Sequence, residues 1–95
     1  MKLGDLRIEW NPAKNEWLKL NRKISFDDIL VALDEGRLLK LWDHPNQKKY
    51  RGQKELIVLL GEYVYIVPFV EDEEKIFLKT AYPSRKETKK YYEKH

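Results

Sequence analysis

The chain has 95 residues, enough for one hydrophobic core, so we expect a single domain spanning residues 1–95. It contains no cysteine, which excludes disulfide bonds and thiolate-ligated zinc. The apolar runs are too short to cross a membrane, and the first residues lack the apolar core of a signal peptide. We therefore expect a soluble cytoplasmic protein, and no motif predicts a metal or a cofactor.

The positive charge is concentrated at the C-terminal end. Residues 1–78 carry 13 Lys/Arg and 14 Asp/Glu, whereas residues 79–95 carry six basic and two acidic side chains. A local excess of this kind attracts polyanions, which the same charge spread evenly would not do. The alternative interpretation is a helix whose charges only keep the protein in solution.

The N-terminal part predicts a strand followed by a helix. Residues 6–10 alternate apolar and polar side chains, as in a half-buried strand. Asn11 and Pro12 are typical of an N-cap and a first helical position. Apolar residues at helical spacing, among them Trp17 and Leu20, extend this helix to about residue 21.

A second helix is predicted between Ser25 and Gly36. Ser25 is a good N-cap, Asp28 three residues later resembles a capping box, and Gly36 provides the stop. One face is apolar, formed by Phe26, Ile29, Leu30 and Leu33.

Beyond Gly36 the spacing of the apolar residues changes from that of helices to that of strands. Gly61-Glu62 predicts a tight hairpin, and Pro68, which cannot donate a ladder hydrogen bond, predicts an edge, a bulge or a strand end. Tyr82-Pro83 should break the last strand, and Ser84 should cap a final helix that ends near Lys94. The four predicted strands are residues 38–42, 55–60, 63–70 and 75–81.

The predicted order is therefore βααββββα, an α+β fold. Short connections between successive strands indicate an antiparallel β-sheet, with the two N-terminal helices on one face and a C-terminal helix at the end of the chain. We expect the opposite face of the sheet to be shallow and partly open, available to a ligand or a partner.

The last helix is a candidate phosphate-binding surface. Several cations on a rigid rod suit the phosphates of a nucleic acid. Arg85 is the strongest candidate, because a guanidinium binds a phosphate in bidentate fashion and lies here in the first turn. The basic residues on this helix are Arg85, Lys86, Lys89, Lys90 and Lys94.

Two further residues are candidates for chemistry. Lys79 lies on the predicted last strand, on the same face as Phe77 and Ala81, where it either points to solvent or directs a cation at a phosphate. His44, the only internal histidine, suits proton transfer near neutral pH or is merely an exposed loop residue. The tyrosines Tyr50, Tyr82 and Tyr91 could stack on bases or act as weak acids, although core packing also explains them.

Three stretches together resemble the BrnT-like toxins, a family with a RelE-like fold. They are Ile8-Glu9-Trp10-Asn11-Pro12-Ala13-Lys14, Ile24-Ser25-Phe26-Asp27-Asp28, and Lys79 to Tyr91 with the sequence KTAYPSRKETKKY. The chain departs from the family at Asn21-Arg22-Lys23, where relatives commonly carry Lys-His-Gly, and at Ala81, where an arginine is frequent.

The resemblance implies the toxin of a type II toxin–antitoxin pair, an endoribonuclease that cleaves RNA without metal and is neutralised by a cognate antitoxin. Such antitoxins often carry a ribbon-helix-helix part, which would make the only DNA contact, and the assembly could be a homodimer or a 2:2 complex. On this resemblance Lys79 and Arg85 would hold the phosphate, and Tyr91 or His44 would help to transfer protons. Lys86, Lys89 and Lys90 would bind RNA.

Two other function classes remain open from the residues. A degenerate toxin of the same fold would bind nucleic acid or protein without cleaving it, and a metal-dependent nuclease would lose activity in EDTA. The distinguishing feature is whether groups that transfer protons converge on the cations. The three tryptophans also predict that one of them lies in an interface or, alternatively, that all pack in the core.

Overall fold

The structure, a computed structural model, describes residues 7–94, so Leu6 of the predicted first strand lies outside the described residues. These residues form an α+β fold, as predicted, with three helices and an open sheet. In chain order the elements are β1 (Arg7–Trp10), α1 (Pro12–Arg22), α2 (Phe26–Asp34), β2 (Leu38–Asp43), β3 (Lys54–Leu60), β4 (Tyr63–Glu71), β5 (Lys75–Leu78), β6 (Tyr82–Pro83) and α3 (Arg85–Lys94).

The two N-terminal helices begin at the predicted caps. The Asn11 side chain accepts hydrogen bonds from the backbone N–H groups of Ala13 and Lys14, at 2.8 and 3.3 Å. Ser25 and Asp28 form a complete capping box, because each side chain accepts from the other residue's backbone N–H. These bonds satisfy donors that the first turn of a helix leaves unpaired.

The buried face of α1 is not the one that its large apolar residues indicate. Trp17 and Leu20 are exposed, whereas Asn15 and Leu18 are buried. The Asn15 side chain accepts a 2.7 Å hydrogen bond from the backbone N–H of Phe26 and donates to Asp27. This amide fastens the start of α2 to α1 and turns the face that carries Asn15 inward.

The sheet is mixed rather than wholly antiparallel. Its strand order is β1-β5-β4-β3-β2, and the strands β2 to β5 pair antiparallel with their neighbours, as predicted. β1 pairs parallel with β5, with Ile8 opposite Ile76 and Trp10 opposite Leu78. Because Trp10 also packs its ring against Phe26 at 5.5 Å, β1 extends the apolar face on which the two helices lie.

The two faces of the sheet are covered differently. On one face α1 and α2 pack on the main core, which includes Leu18, Phe26, Ile29, Leu56, Val58, Val67 and Phe69. On the other face Ile57 and Val64 are also buried, although they lie outside that core. α3 packs on β4 there, and its Thr88 hydroxyl accepts a 2.9 Å hydrogen bond from the Val64 N–H. The face that we expected to be partly open is therefore covered by α3 only in part.

The last predicted strand is interrupted by a bulge. Leu78 pairs with Phe69 and Tyr82 pairs with Ile66, so the three residues 79–81 lie opposite only two residues of β4. One of those two is Pro68, which has no N–H to donate and whose carbonyl accepts from the Lys79 N–H at 2.8 Å. Of the positions predicted for Pro68, the bulge is the one that occurs.

The bulge corrects three predictions for this segment. β5 ends at Leu78 instead of residue 81, and Tyr82-Pro83 pair with β4 as β6 instead of ending the sheet. The side chains of Lys79 and Ala81 do not share a face, because Ala81 is fully buried in the main core while Lys79 is exposed. An extra residue in a strand reverses the alternation of side chains beyond it.

We predict that Asn15→Ala lowers the free energy of unfolding by about 1–3 kcal/mol, because it leaves the buried Phe26 N–H without its acceptor. Urea denaturation should show a lower midpoint with an unchanged slope. Asn21→Ala is the matched control on the same helix, since Asn21 is exposed, and it should change stability by less than about 0.5 kcal/mol. Equal effects of the two substitutions would contradict this account of the α1–α2 contact.

Candidate active site

A shallow cleft of about 340 Å³ lies on the face of the sheet opposite α1 and α2. It is formed where the loop after β2 meets the bulge between β5 and β6. Pro68 lies in its floor, out of phase with Val67 and Phe69, which face the main core. The cleft is lined by His44, Tyr50, Gln53, Pro68, Lys79, Thr80 and Tyr82.

A buried carboxylate lies beside this cleft. Glu55 is directly opposite Pro68 in the β3–β4 ladder and is only 4% exposed. Its Oε1 accepts a 2.8 Å hydrogen bond from the indole N–H of Trp42, and the phenol of Tyr82 lies close enough to the carboxylate for its pKa to be raised by it. No lysine or arginine among residues 7–94 pairs with it, so its side-chain hydrogen bond comes from a neutral donor, the Trp42 indole. We call this surface the Glu55 cleft.

The orientation of His44 follows from its two ring nitrogens. Nδ1 accepts a 3.0 Å hydrogen bond from the backbone N–H of Asn46, so in the neutral ring the proton resides on Nε2. Nε2 lies 3.8 Å from Glu55 Oε2 and presents that proton towards the carboxylate. On its other side the His44 ring stacks on Tyr50, with 4.3 Å between ring centroids.

The loop that carries His44 and Tyr50 is braced from within by the side chain of Gln47. Gln47 Nε2 donates to the carbonyls of His44 and Gln53, at 2.8 and 3.0 Å. Gln47 Oε1 accepts from the N–H of Gly52, which adopts a positive φ of 75° that favours glycine. Both ends of the loop are thus tied to one amide, which fixes the two rings that line the cleft.

Lys79 is the cation of the cleft. Its side chain is exposed, and among the described residues it takes part in no ion pair. It is the first residue of the bulge, so its position depends on how the bulge is held.

Arg22, from the end of α1, holds that bulge. Its guanidinium donates to the Ala81 carbonyl at 2.6 Å and to the Thr80 hydroxyl at 3.4 Å. The carbonyl that the interrupted ladder frees therefore has a charged donor. Arg22 and Ala81 belong to the two stretches in which the chain departs from the BrnT-like pattern, and in the structure they touch.

Tyr82 is held in its protonated form. Burial raises the pKa of its phenol, and the neighbouring Glu55 carboxylate raises that pKa further. The charge of Arg22 lowers the pKa but does not offset these effects. At neutral pH Tyr82 is consequently a proton donor.

The structure brings only part of the predicted site together. His44 and Lys79, 35 residues apart in the sequence, line the same cleft, whereas Arg85 and Tyr91 do not. Arg85 is seven residues before Tyr92 and so on the same side of α3; Tyr92 donates to the Glu62 carbonyl in the β3–β4 turn. Arg85 itself is exposed, in the first turn of α3.

The other predicted residues of α3 lie at its surface. Lys86 and Lys89 are exposed, and Lys89 pairs with Glu93 at 4.0 Å. Lys90 pairs with Glu87 at 3.7 Å and, with Tyr91, lines a second groove between α3 and β2.

Sequence reasoning missed Glu55, which it treated as the first residue of an apolar strand. A signal was present, because Glu55 is in phase with Ile57 and Leu59 on a strand that is apolar on both faces. An acidic side chain in such a position must find donors inside the protein. Among the tryptophans, Trp17 is the exposed one, flanked by Lys14 at 4.0 Å and Arg22 at 4.7 Å from its ring centroid.

Within residues 7–94 no cluster of three or more histidine, aspartate or glutamate side chains could hold a metal ion. None of the described helices combines the length and the apolar character needed to cross a membrane. Comparison with protein-family models, with curated proteins and with solved structures finds no match to this chain.

We predict that Glu55→Gln lowers the pKa of Tyr82 but leaves it above the ordinary value near 10, because burial, the largest cause, remains. Ultraviolet titration of phenolate formation, with Tyr82→Phe to assign the signal, measures the shift. Tyr65 is the internal control, since its pKa is raised by burial and by Tyr63, without Glu55. An unchanged Tyr82 pKa in the glutamine variant would refute the contact.

The same shift predicts a loss of stability in alkali. The folded protein favours protonated Tyr82, so the stabilisation is fully present below the phenol's ordinary pKa near 10 and is lost as the pH rises through the higher folded value. Urea midpoints of the parent chain should therefore fall more steeply above about pH 10 than those of Tyr82→Phe. If the urea midpoints of the two proteins fall in parallel as the pH rises, the raised pKa of Tyr82 is refuted.

Proposed function

We propose that this chain is the toxin of a type II toxin–antitoxin pair and that it cleaves RNA in the Glu55 cleft without a metal ion. The observation that carries the proposal is that an unpaired cation and a protonated phenol line one cleft, with a buried carboxylate directly beside it. Lys79, Glu55 and Tyr82 are the three groups, and they come from three different strands or their connections. This combination supports the 2′-hydroxyl attack that the BrnT-like resemblance implies.

Lys79 supplies electrostatic stabilisation. When the ribose 2′-oxygen attacks the neighbouring phosphorus, negative charge grows on the phosphoryl oxygens of the pentavalent intermediate. An ammonium group without a carboxylate partner among the described residues is available for that charge. A lysine already engaged in an ion pair would have to break it first.

Glu55 and Tyr82 transfer the two protons of the reaction. The Glu55 carboxylate accepts the proton of the 2′-hydroxyl, and the Tyr82 phenol donates its proton to the departing 5′-oxygen. Proton transfer from Glu55 to the neighbouring Tyr82 phenolate then restores both groups. The products are a 2′,3′-cyclic phosphate and a free 5′-hydroxyl, and no water or metal is consumed.

His44 and Tyr50 act as positioning residues in this scheme. The neutral His44 ring has its Nδ1 lone pair engaged by Asn46 and its Nε2 proton directed at Glu55, so it orients the carboxylate. The 37%-exposed Tyr50 ring, backed by His44, offers a face on which a base can stack. The lysines of α3 attract the strand to this side of the protein.

The proposal includes a cognate antitoxin that neutralises the enzyme in the cytoplasm. To inhibit, such a partner has to cover the Glu55 cleft or displace a group that lines it. An acidic segment would satisfy Lys79 and the charge of α3.

We predict that Lys79→Ala lowers the rate of RNA cleavage in EDTA about 100-fold, because it removes the charge that stabilises the phosphorane. Purified variants are incubated with a structured RNA, and 2′,3′-cyclic phosphate ends are quantified. Lys19→Ala is the control, since Lys19 is an exposed lysine on α1, on the other face of the sheet. Cleavage by the parent chain that is insensitive to Lys79→Ala, or that EDTA abolishes, would refute the proposed site.

A second candidate function is RNA binding without cleavage, as in a degenerate toxin. It is favoured by the burial of Glu55 and by the engagement of His44 Nδ1, which leave few groups free for chemistry. In the same experiment this alternative gives intact RNA together with a gel shift that Lys79→Ala weakens. Growth arrest on expression, relieved by Lys79→Ala, favours the nuclease.

A further inference from the structure

A second groove lies on the same face of the sheet, between α3 and the strands β2 and β3. It encloses about 230 Å³ and is distinct from the Glu55 cleft, with which it shares no lining residue. Its lining residues are Leu39, Lys40, Ile57, Glu87, Lys90, Tyr91 and Lys94. We call it the α3 groove.

The two sites are neighbours along the strands. Lys40 and Trp42 are two residues apart on β2 and lie opposite Ile57 and Glu55 on β3, respectively. All four side chains therefore project from the same face of the sheet. A two-residue step along a strand is about 7 Å. The α3 groove therefore begins one step from the Glu55 carboxylate, within the reach of a single extended nucleotide.

The chemistry of the groove is that of a nucleotide site. Its floor is apolar and aromatic, from Ile57 and Tyr91, while three lysine side chains and one carboxylate surround it. Glu87, which is 8% exposed, lies 3.7 Å from Lys90 and neutralises only one of the three cations. An apolar floor under an excess of positive charge suits a flat base that carries a phosphate.

We infer that the α3 groove binds a nucleotide of the same RNA strand, next to the linkage held in the Glu55 cleft. The base lies against Tyr91 and Ile57, and its phosphate lies among Lys40, Lys90 and Lys94. The Lys40 ammonium of the groove lies 5.4 Å from the centroid of the Trp42 ring, whose indole N–H donates to Glu55. This inference rests on the proposed function, because it assigns the second site to the strand that is cut.

The first test uses a short 2′-O-methyl RNA, which has no 2′-hydroxyl to attack and so reports binding alone. Fluorescence anisotropy at several salt concentrations gives the affinity and its salt slope. Lys40→Gln combined with Lys90→Gln should reduce the slope by about 1.4, because each lysine that contacts a phosphate of a single strand contributes about 0.7. Lys14→Gln combined with Lys19→Gln, on α1 behind the sheet, is the matched control and should leave the slope unchanged.

The second test compares two adjacent tyrosines of α3. Tyr91→Leu should weaken binding roughly tenfold through loss of base stacking. Tyr92→Leu should not, because Tyr92 faces the β3–β4 turn and donates to Glu62. Urea midpoints verify that both variants fold. If Tyr91→Leu does not fold, the lysine variants still test the inference, because they change exposed side chains.

The outcomes separate the two proposals. An unchanged salt slope in the Lys40/Lys90 variant overturns the groove inference, even if Lys79→Ala abolishes cleavage. Equal reductions of the salt slope in the groove pair and in the control pair also overturn it, since they would show only nonspecific electrostatic attraction. If the parent chain fails to cleave any RNA but the groove variants lose affinity, the nuclease fails while the groove is retained as a site for a bound strand.

Discussion

The single constraint on which this molecule depends is the missing N–H of Pro68. An internal strand that lacks one donor cannot carry a regular ladder on that side, and the neighbouring chain responds with the extra residue of the 79–81 bulge. Because of that residue Ala81 enters the core, Lys79 remains outside, and Tyr82 reaches Glu55. Arg22 then satisfies the carbonyl that the bulge frees. A regular strand would have placed Lys79 and Ala81 on one face and left no cleft of this form.

The sheet divides its two faces between stability and recognition. One face is closed by α1 and α2 over a continuous apolar core, and the capping contacts of Asn11 and Ser25 fix where these helices begin. The other face is only partly closed, because α3 crosses it above Val64 and Ile57. What α3 leaves uncovered carries the polar side chains, including a carboxylate that costs free energy to bury unless donors surround it.

Much of the fold could be predicted because local chemistry determines it. Asn11-Pro12, Ser25 with Asp28, and Gly61 each specify a cap or a turn from a few neighbouring residues, and all three occur where predicted. The parallel pairing of β1 with β5 could not be predicted, since it joins segments more than 60 residues apart. The exposed position of Trp17 was equally inaccessible, because it follows from a hydrogen bond between Asn15 and Phe26 across two helices.

The limit of prediction from the sequence is clearer still at the candidate site. His44 and Lys79 were recognisable from residue type, but Glu55, beside the cleft they share, was not, because it belongs to an apolar run. Arg85 was favoured for its chemistry, yet it is an exposed residue of the first turn of α3 and does not line the cleft. Which side chains meet depends on one inserted residue and on the rotation of one helix, and neither is visible in composition or spacing.

The Gln47 brace has a consequence for the energetics of recognition. A ten-residue loop usually loses conformational freedom when a ligand orders it, and that loss is subtracted from the affinity. Here residues 44–53 are already closed by their own amide and backbone hydrogen bonds, so the His44 and Tyr50 rings need no ordering on encounter. The conformational entropy of this loop is therefore lost when the chain folds and not when a ligand binds.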